Sequence, residues 1–331
     1  MEIEKNNQKL KKTIYIIKKC SSKAYWNNFV ESSPQGNIFA TTYFLDAYKE
    51  KYDLLFLEKN NLPHLGIIII KKNKGNLAVS PFLYQGIFFA SNYLEMPIQR
   101  RIKLQIEIAN FLFDKLVRHY KRIAFSLHHS IKDLRSFQWF NYKKPQKGQF
   151  KINLYYTGLI NFDSYTSFND YFGKIRKVRR SEFFRAVKKK LMIEESNDIS
   201  KLDYLYDLTF KRQGIKTDIM VKEKLMKIAF SALSHNFGKL LFCKDNFGKI
   251  VSATLFLFDH KYGYYLVGAN HPDYRQTGGS TFLMIENIKR CYQQGLLGID
   301  ICGINSPNRG DFKTSFNAEP IPYFEVTWKK P

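Results

Sequence analysis

The chain is short of acidic residues: 29 Asp and Glu stand against 53 Lys and Arg in 331 residues, a formal net charge of +24 at pH 7. A field that positive attracts phosphate-rich partners such as tRNA, coenzyme A, nucleotide-linked precursors or anionic lipid, without choosing among them. Long apolar runs are also missing. The longest, Gly66 to Ile70, meets Lys71 and Lys72 at once, far below the roughly 18 residues that signal a spanning helix, so no membrane crossing is expected. The opening residues, with Glu2, Lys5, Lys9, Lys11 and Lys12, lack the apolar core and cleavage site of an export signal, which makes the cytoplasm the expected compartment. The charge leaves open a peripheral contact with anionic lipid at the inner face of the membrane. Cysteine is scarce. Cys20, Cys243, Cys291 and Cys302 are scattered with no C-x-x-C pair, and they read as reduced core residues. Nor is there a G-x-S-x-G elbow, a Walker loop, an H-E-x-x-H pair or zinc-type spacing, so no metal is expected.

What is present is apolar mass: hydrophobic residues make up 44% and aromatics 16%, enough to offset the chain entropy lost on folding. The length suits two α/β halves of roughly 160 residues each. Tyr25 to Lys51 reads as a helix, a tight Ser33-Pro34-Gln35-Gly36 turn and a second helix. Strands follow at Leu54 to Leu57, Gly66 to Lys71 and Leu77 to Pro81, with turns at Asn60-Asn61 and Lys74-Gly75-Asn76. Ile102, Ile106, Ala109, Phe113 and Leu116 recur at helical spacing between Pro97 and His119, and that helix feeds a strand from Ile123 to Leu127.

The same order returns about 175 residues later, by the spacing rule for internal duplication. Strands are expected at Lys239 to Cys243, Ile250 to Phe258 and Tyr262 to Gly268, then a helix from Ser280 to Gln294 and a strand from Leu297 to Cys302. Each half is thus an α+β unit with a mostly antiparallel sheet flanked by helices; the division falls at residues 1–160 and 161–331. Near the junction, one basic helix is expected over 168–190. Phe168, Phe172, Ile175 and Val178 form its apolar stripe, and nine Lys and Arg from Lys174 to Lys190 load its other faces.

With that helix the chain comes to resemble the Fem-like transferases, the double-GNAT family that includes the peptidoglycan cross-bridge aminoacyltransferases and many N-acyltransferases. Five stretches carry the resemblance in order: Trp26 and Phe29 with Ser33-Pro34-Gln35-Gly36-Asn37-Ile38-Phe39; Pro81-Phe82-Leu83-Tyr84-Gln85-Gly86-Ile87; Lys174 to Lys188; Thr209-Phe210-Lys211-Arg212-Gln213-Gly214; and Gly298 to Ile304 with Phe312-Lys313-Thr314-Ser315-Phe316. The long coiled-coil arm that some members insert in the second half has no counterpart between Asp198 and Lys239.

The resemblance implies a site. In a GNAT fold, a turn like Arg275-Gln276-Thr277-Gly278-Gly279-Ser280 cradles the carrier's pyrophosphate on backbone N–H groups at a helix N-terminus, although Ser280 stands where Gly or Ala is usual. The plain alternative is a Gly-rich turn with Ser280 or Thr281 as N-cap. Lys313, in a loop between two phenylalanines, is the candidate to stabilise an oxyanion or neutralise a phosphate, with Phe312 beside it. Arg212 and Gly214, the latter a left-handed cap, would border the substrate cleft, and Arg185 and Lys188 would contact acceptor phosphate. Asp300, at a strand end, is the candidate base or partner of Lys313. His128 and His129, on adjacent strand positions, are expected to face opposite sides.

These expectations describe an acyltransferase that moves an acyl or aminoacyl group from acyl-CoA or aminoacyl-tRNA to an amine acceptor such as a cell-envelope precursor. The amine attacks directly, with no covalent enzyme intermediate. The competing class is a non-catalytic nucleic-acid or membrane-surface binder, built on a degenerate GNAT scaffold, whose affinity would fall steeply with salt.

Overall fold

The computed structural model describes residues 15–48, 50–72, 76–77 and 82–331. After β1 (Ile16–Lys19), α1 (Lys23–Ser32) starts where the Ser22 side chain caps Tyr25 N–H, and it buries Trp26, Phe29 and Val30. Trp26 closes that face by donating its indole N–H to Ala40 O at 2.9 Å. A 3-10 turn at Ile38–Ala40 leads into α2 (Thr42–Tyr48), then β2 (Lys51–Lys59), β3 (Leu62–Lys72), the two-residue β4 (Asn76–Leu77) and β5 (Ile87–Phe89). The expected turn residues Lys74 and Gly75, the rest of the expected strand to Pro81, and the opening lysines lie outside the described residues. The helix expected from residue 97 is α3 (Ile98–His119), followed by β6 (Arg122–Ser126), the short α4 (Arg135–Gln138) and β7 (Lys151–Asn161).

The single basic helix expected over 168–190 is two helices, α5 (Phe168–Lys174) and α6 (Lys177–Lys188). The break has a packing cause. Ile175 turns to extended geometry (ψ 154°), buries itself in the core beside Phe316, and leaves Arg176 N–H to bond Ser315 O at 3.0 Å. The remaining elements are β8 (Met192–Glu195), α7 (Ile199–Arg212), α8 (Ile219–Ser234), β9 (Gly238–Lys244), β10 (Ile250–Phe258), β11 (Tyr262–Asn270), α9 (Gly279–Gln293), β12 (Gly298–Gly303), α10 (Pro307–Thr314) and β13 (Glu319–Lys329). No helix among the described residues is long and apolar enough to cross a membrane.

The thirteen strands among the described residues join one mixed, mostly antiparallel sheet, ordered β1-β2-β3-β4-β6-β13-β7-β12-β11-β10-β9-β8, with β5 paired to β3. The C-terminal strand β13 therefore lies between β6 and β7, pairing antiparallel with both. One apolar core crosses the middle of the molecule. It packs Phe39, Phe44 and Tyr84 from the early chain against Leu202, Ile228, Leu255 and Tyr264 from the later chain.

The Ser-Pro-Gln-Gly-Asn stretch turns out to be a brace. Gln35 Oε1 accepts Phe89 N–H at 2.9 Å, Asn37 donates to Tyr84 O at 3.3 Å, and Gly36 lies so close to Val30 O that a Cβ would sit 1.8 Å from it. Gln85, in the Tyr84-Gln85-Gly86 turn, is buried and donates to Phe39 O at 2.8 Å.

Candidate functional site

Strands β11 and β12 run parallel for three residues, Tyr262–Tyr264 against Gly298–Asp300, and then part. On its other side β12 slips register against β7 between Asp300 and Gly303, where Cys302 takes a left-handed φ of 58°. The parting opens the sheet beside Asp300, and Lys313 bonds Gly303 O at the end of β12.

Asp300 is 2% exposed, and its carboxylate is fully engaged. One oxygen accepts the Tyr84 hydroxyl at 2.7 Å; the other accepts the Thr157 hydroxyl and the Cys302 N–H, the latter at 2.7 Å. Burial first, and Asp300 second, hold the Tyr84 phenol well above its ordinary range, so it stays protonated and donates. The structure shows no ion pair between Asp300 and Lys313.

Lys313 sits in the last turn of α10 rather than in a loop, because Pro307 starts a helix that carries Phe312 and Lys313 up to the turn before Phe316. Its ammonium donates to Gly303 O at 3.1 Å and lies 5.2 Å from the centre of the Tyr265 ring. No described carboxylate comes within ion-pairing distance of it. Burial lowers its pKa; Cys302 and then Asp300 oppose that shift, and Arg309, the smallest effect, adds to it. Two of its three N–H donors have no protein partner, which leaves them for a ligand.

The turn at 275–280 folds as a short 3-10 helix, Pro272–Thr277, followed by Gly278 as the N-cap of α9. The hydroxyls expected to cap the helix point elsewhere: Ser280 donates to Asn270, and Thr281 to Glu182. Gly278 has φ 86°, and a Cβ there would stand 2.3 Å from Glu182 O. Gly279 opens α9 against Val251 and Ser252. Gly278→Ala is therefore expected to cost about 1–3 kcal/mol of stability before any ligand is considered, since it combines left-handed strain with overlap. Urea unfolding of the variant checks this, and it makes Arg275 the cleaner probe of ligand binding.

Helix α6 ties the two motifs together. Glu182 backs Gly278, and one turn earlier Arg179 lies 4.7 Å from the centre of the Phe312 ring and donates to Ser315 Oγ at 2.7 Å and to Glu182 at 2.6 Å. Arg176 grips Asp311 with one guanidinium nitrogen, 2.8 and 2.9 Å from the two carboxylate oxygens. The 275–280 turn and the Lys313 helix thus flank a single turn of α6. Arg185 donates to Gln276 O at 3.2 Å, and Lys188 ends α6, exposed. Arg212, the last residue of α7, stands near enough to Arg275 that burial and then that neighbour's charge lower its pKa. Neither arginine has a hydrogen-bond or ion-pair partner among the described residues, so two positive charges stand unpaired there. Gly214 takes the expected left-handed conformation, φ 67°.

Several residues escaped the sequence reading. His128 and His129 do not face opposite sides: β6 ends at Ser126, alternation ends with it, and the two rings lie tilted with centroids 4.1 Å apart while both meet Tyr84. Thr157 joins Asp300 from 143 positions away, and no local pattern marks it. Of the thiols, burial pushes Cys243 and Cys291 up to about 12, which keeps them unreactive.

Residues 173–314 match the acetyltransferase (GNAT) domain family. No curated protein sequence matches the chain. Among solved structures, FemX superposes with a TM-score of 0.67 at 11% identity, covering 94% of this chain and 96% of that one. L-PGS from Bacillus licheniformis superposes at 0.54 with 12% identity, covering 92% and 91%. A tandem GNAT protein from the clavulanic acid biosynthesis pathway superposes at 0.52 with 6% identity, covering 95% and 98%. The chain has the Fem-like tandem GNAT fold, with a GNAT domain over residues 173–314.

Proposed function

We propose that the protein transfers an acyl or aminoacyl group from a phosphate-bearing carrier, acyl-CoA or aminoacyl-tRNA, to an amine acceptor, a cell-envelope precursor among the amines that fit, with residues 1–160 and 161–331 as two GNAT-like halves that exchange strands. The observation that carries this reading is the Lys313 ammonium, sheltered, free of carboxylates and placed beside the parted ends of β11 and β12. The acceptor amine attacks the carrier's carbonyl carbon; the C–N bond forms and the oxygen takes the charge, which Lys313 N–H groups stabilise. The intermediate collapses with loss of the carrier's thiolate or ribose oxygen, which takes up a proton, while the amine's proton leaves to solvent. Arg275 and Arg212, with the turn at Gly278, Gly279 and Ser280, hold the carrier's phosphates, and Arg185 and Lys188 face the acceptor's.

Thermal shift with acetyl-CoA, free CoA and bulk tRNA tests the carrier. A carrier at about 100 times its Kd stabilises the fold by about 2.7 kcal/mol. Arg275→Ala is expected to weaken its binding about tenfold or more, the loss of one charge-assisted phosphate contact. Indifference of the wild-type protein to all three carriers would rule the reading out.

A further inference from the structure

The rim on which the carrier turn sits carries apolar side chains that the protein itself does not cover. Ile219 and Met220, at the first two positions of α8, are 65% and 68% exposed; Val221 and, in the preceding link, Ile215 are exposed as well. Successive positions of a helical turn point in different directions, so no packing of α8 onto its own domain would cover Ile219, Met220 and Val221 together. Helix α6 exposes Phe184 and Val187. Both patches border the Pro272–Thr277 turn: Arg185 of α6 reaches Gln276 O, and α7, which ends at Arg212 three residues before Ile215, packs against the same turn.

The charges around these residues are one-sided. Lys188, Lys189 and Lys190 follow Val187, and Lys211 and Lys216 bracket the other patch. None of these ammoniums pairs with a described residue. Most nearby acids are engaged: Asp218 caps Met220 and Val221 N–H, Glu182 holds Arg179 and Thr281, and Asp203 and Asp207 share Lys222, which leaves Glu223 as the exposed acid beside the α8 patch.

We propose that this rim, from Phe184 and Val187 across to Ile215 and Ile219–Val221, docks on an anionic lipid bilayer, its apolar residues entering the interface and its lysines meeting the headgroups. Unpaired cations select a negative partner. The rim is aliphatic apart from Phe184, and exposed Ile, Met and Val select an apolar medium, because aliphatic chains gain from leaving water and give a nucleic-acid base no π-face to stack on. The inference stands apart from acyl transfer, since a protein without turnover would still bind.

Co-flotation with vesicles of phosphatidylcholine containing about one third phosphatidylglycerol, against phosphatidylcholine alone, tests it. The wild-type protein is expected to float with the anionic vesicles only. The exposed double variant I219S/M220S, with an unchanged melting temperature, is expected to lower partitioning about tenfold, the loss of two inserted apolar side chains. A second readout uses the fact that Trp26 and Trp328 are buried while Trp139 is 49% exposed. In W139F carrying M220W, the new indole should shift its emission to the blue on the same vesicles. The assignment is overturned if anionic vesicles are not bound, or if I219S/M220S floats like the wild type. It also falls if light scattering shows a dimer that this variant dissolves, or if an oligouridylate strand displaces the vesicles and binds the variant equally well.

Discussion

Lys313→Ala is expected to lower kcat about 10²- to 10³-fold on the carrier that thermal shift identifies, with kcat/KM falling by the same factor. An interaction made only once charge develops on the carbonyl oxygen is lost from both constants equally. The geometry supports that assignment over a structural one: Lys313 makes one hydrogen bond, to Gly303 O, and no ion pair, so its removal strands no buried partner charge. The pH dependence separates the roles further. Burial lowers the Lys313 pKa from the ordinary 10.5, so the ammonium and the activity that needs it disappear as pH rises through a value below that. The alkaline limb of kcat should therefore begin below the range of a free lysine. In Lys313→Arg, whose guanidinium keeps its proton, the limb should move upward even if the rate is reduced. For stability the sign runs the other way. The folded state gives up this proton before the unfolded chain does, so this group's contribution to stability rises with pH between the two pKa values. A variant that keeps wild-type kcat across pH would remove Lys313 from the reaction.

How much of this was legible in the sequence follows from how far apart the interacting residues lie. The period-3.6 pattern from Ile102 to Leu116 specifies α3 because every signal sits within one element. The turn at 275–280 and the left-handed Gly214 were readable for the same local reason. The break at Ile175 was not. The apolar stripe Phe168, Phe172, Ile175 and Val178 fits one helix, and only the pocket beside Phe316, 141 positions away, pulls Ile175 out of it. Likewise Gly278 looks like a phosphate-turn glycine, yet its most visible constraint is the backbone of Glu182. The bond between Tyr84 and Asp300 is the extreme case. Tyr84 stood out within a Tyr-Gln-Gly turn and Asp300 at a strand end, but the bond between them spans 216 positions. It exists because β13 and β7 draw the two parts of the chain into one sheet. Element order is local information; the pairing of elements is not.

That bond supports the second large effect. Asp300→Ala is expected to destabilise the fold by about 3–5 kcal/mol, a fall in melting temperature on the order of 10 °C. The carboxylate is the shared acceptor of three donors: the Tyr84 hydroxyl, the Thr157 hydroxyl and the Cys302 N–H. Alanine leaves all three without it in a site that is almost closed to water. Asp300→Asn should cost less, because an amide oxygen still accepts the Cys302 N–H and either hydroxyl can turn to accept from the amide. Tyr84→Phe removes one charge-assisted bond and should cost about 1.5–3 kcal/mol. Since Tyr84 and Asp300 meet directly, the double variant Tyr84→Phe, Asp300→Asn should be less destabilised than the sum of the two single changes, a coupling that urea unfolding measures directly. Additive costs would mean that the hydroxyl and carboxylate stabilise their own neighbourhoods independently, and the two parts of the chain would then be held together by the apolar core of Phe39, Tyr84, Leu255 and Tyr264 alone. The activity readout distinguishes this pair from Lys313. Tyr84→Phe leaves Lys313 and its Gly303 bond in place, so the loss in kcat should be small at temperatures where the variant is fully folded. A positioning effect of Asp300 would appear instead as a larger fall in Asp300→Asn, because the β12 backbone from Asp300 to Gly303 holds the carbonyl that orients Lys313.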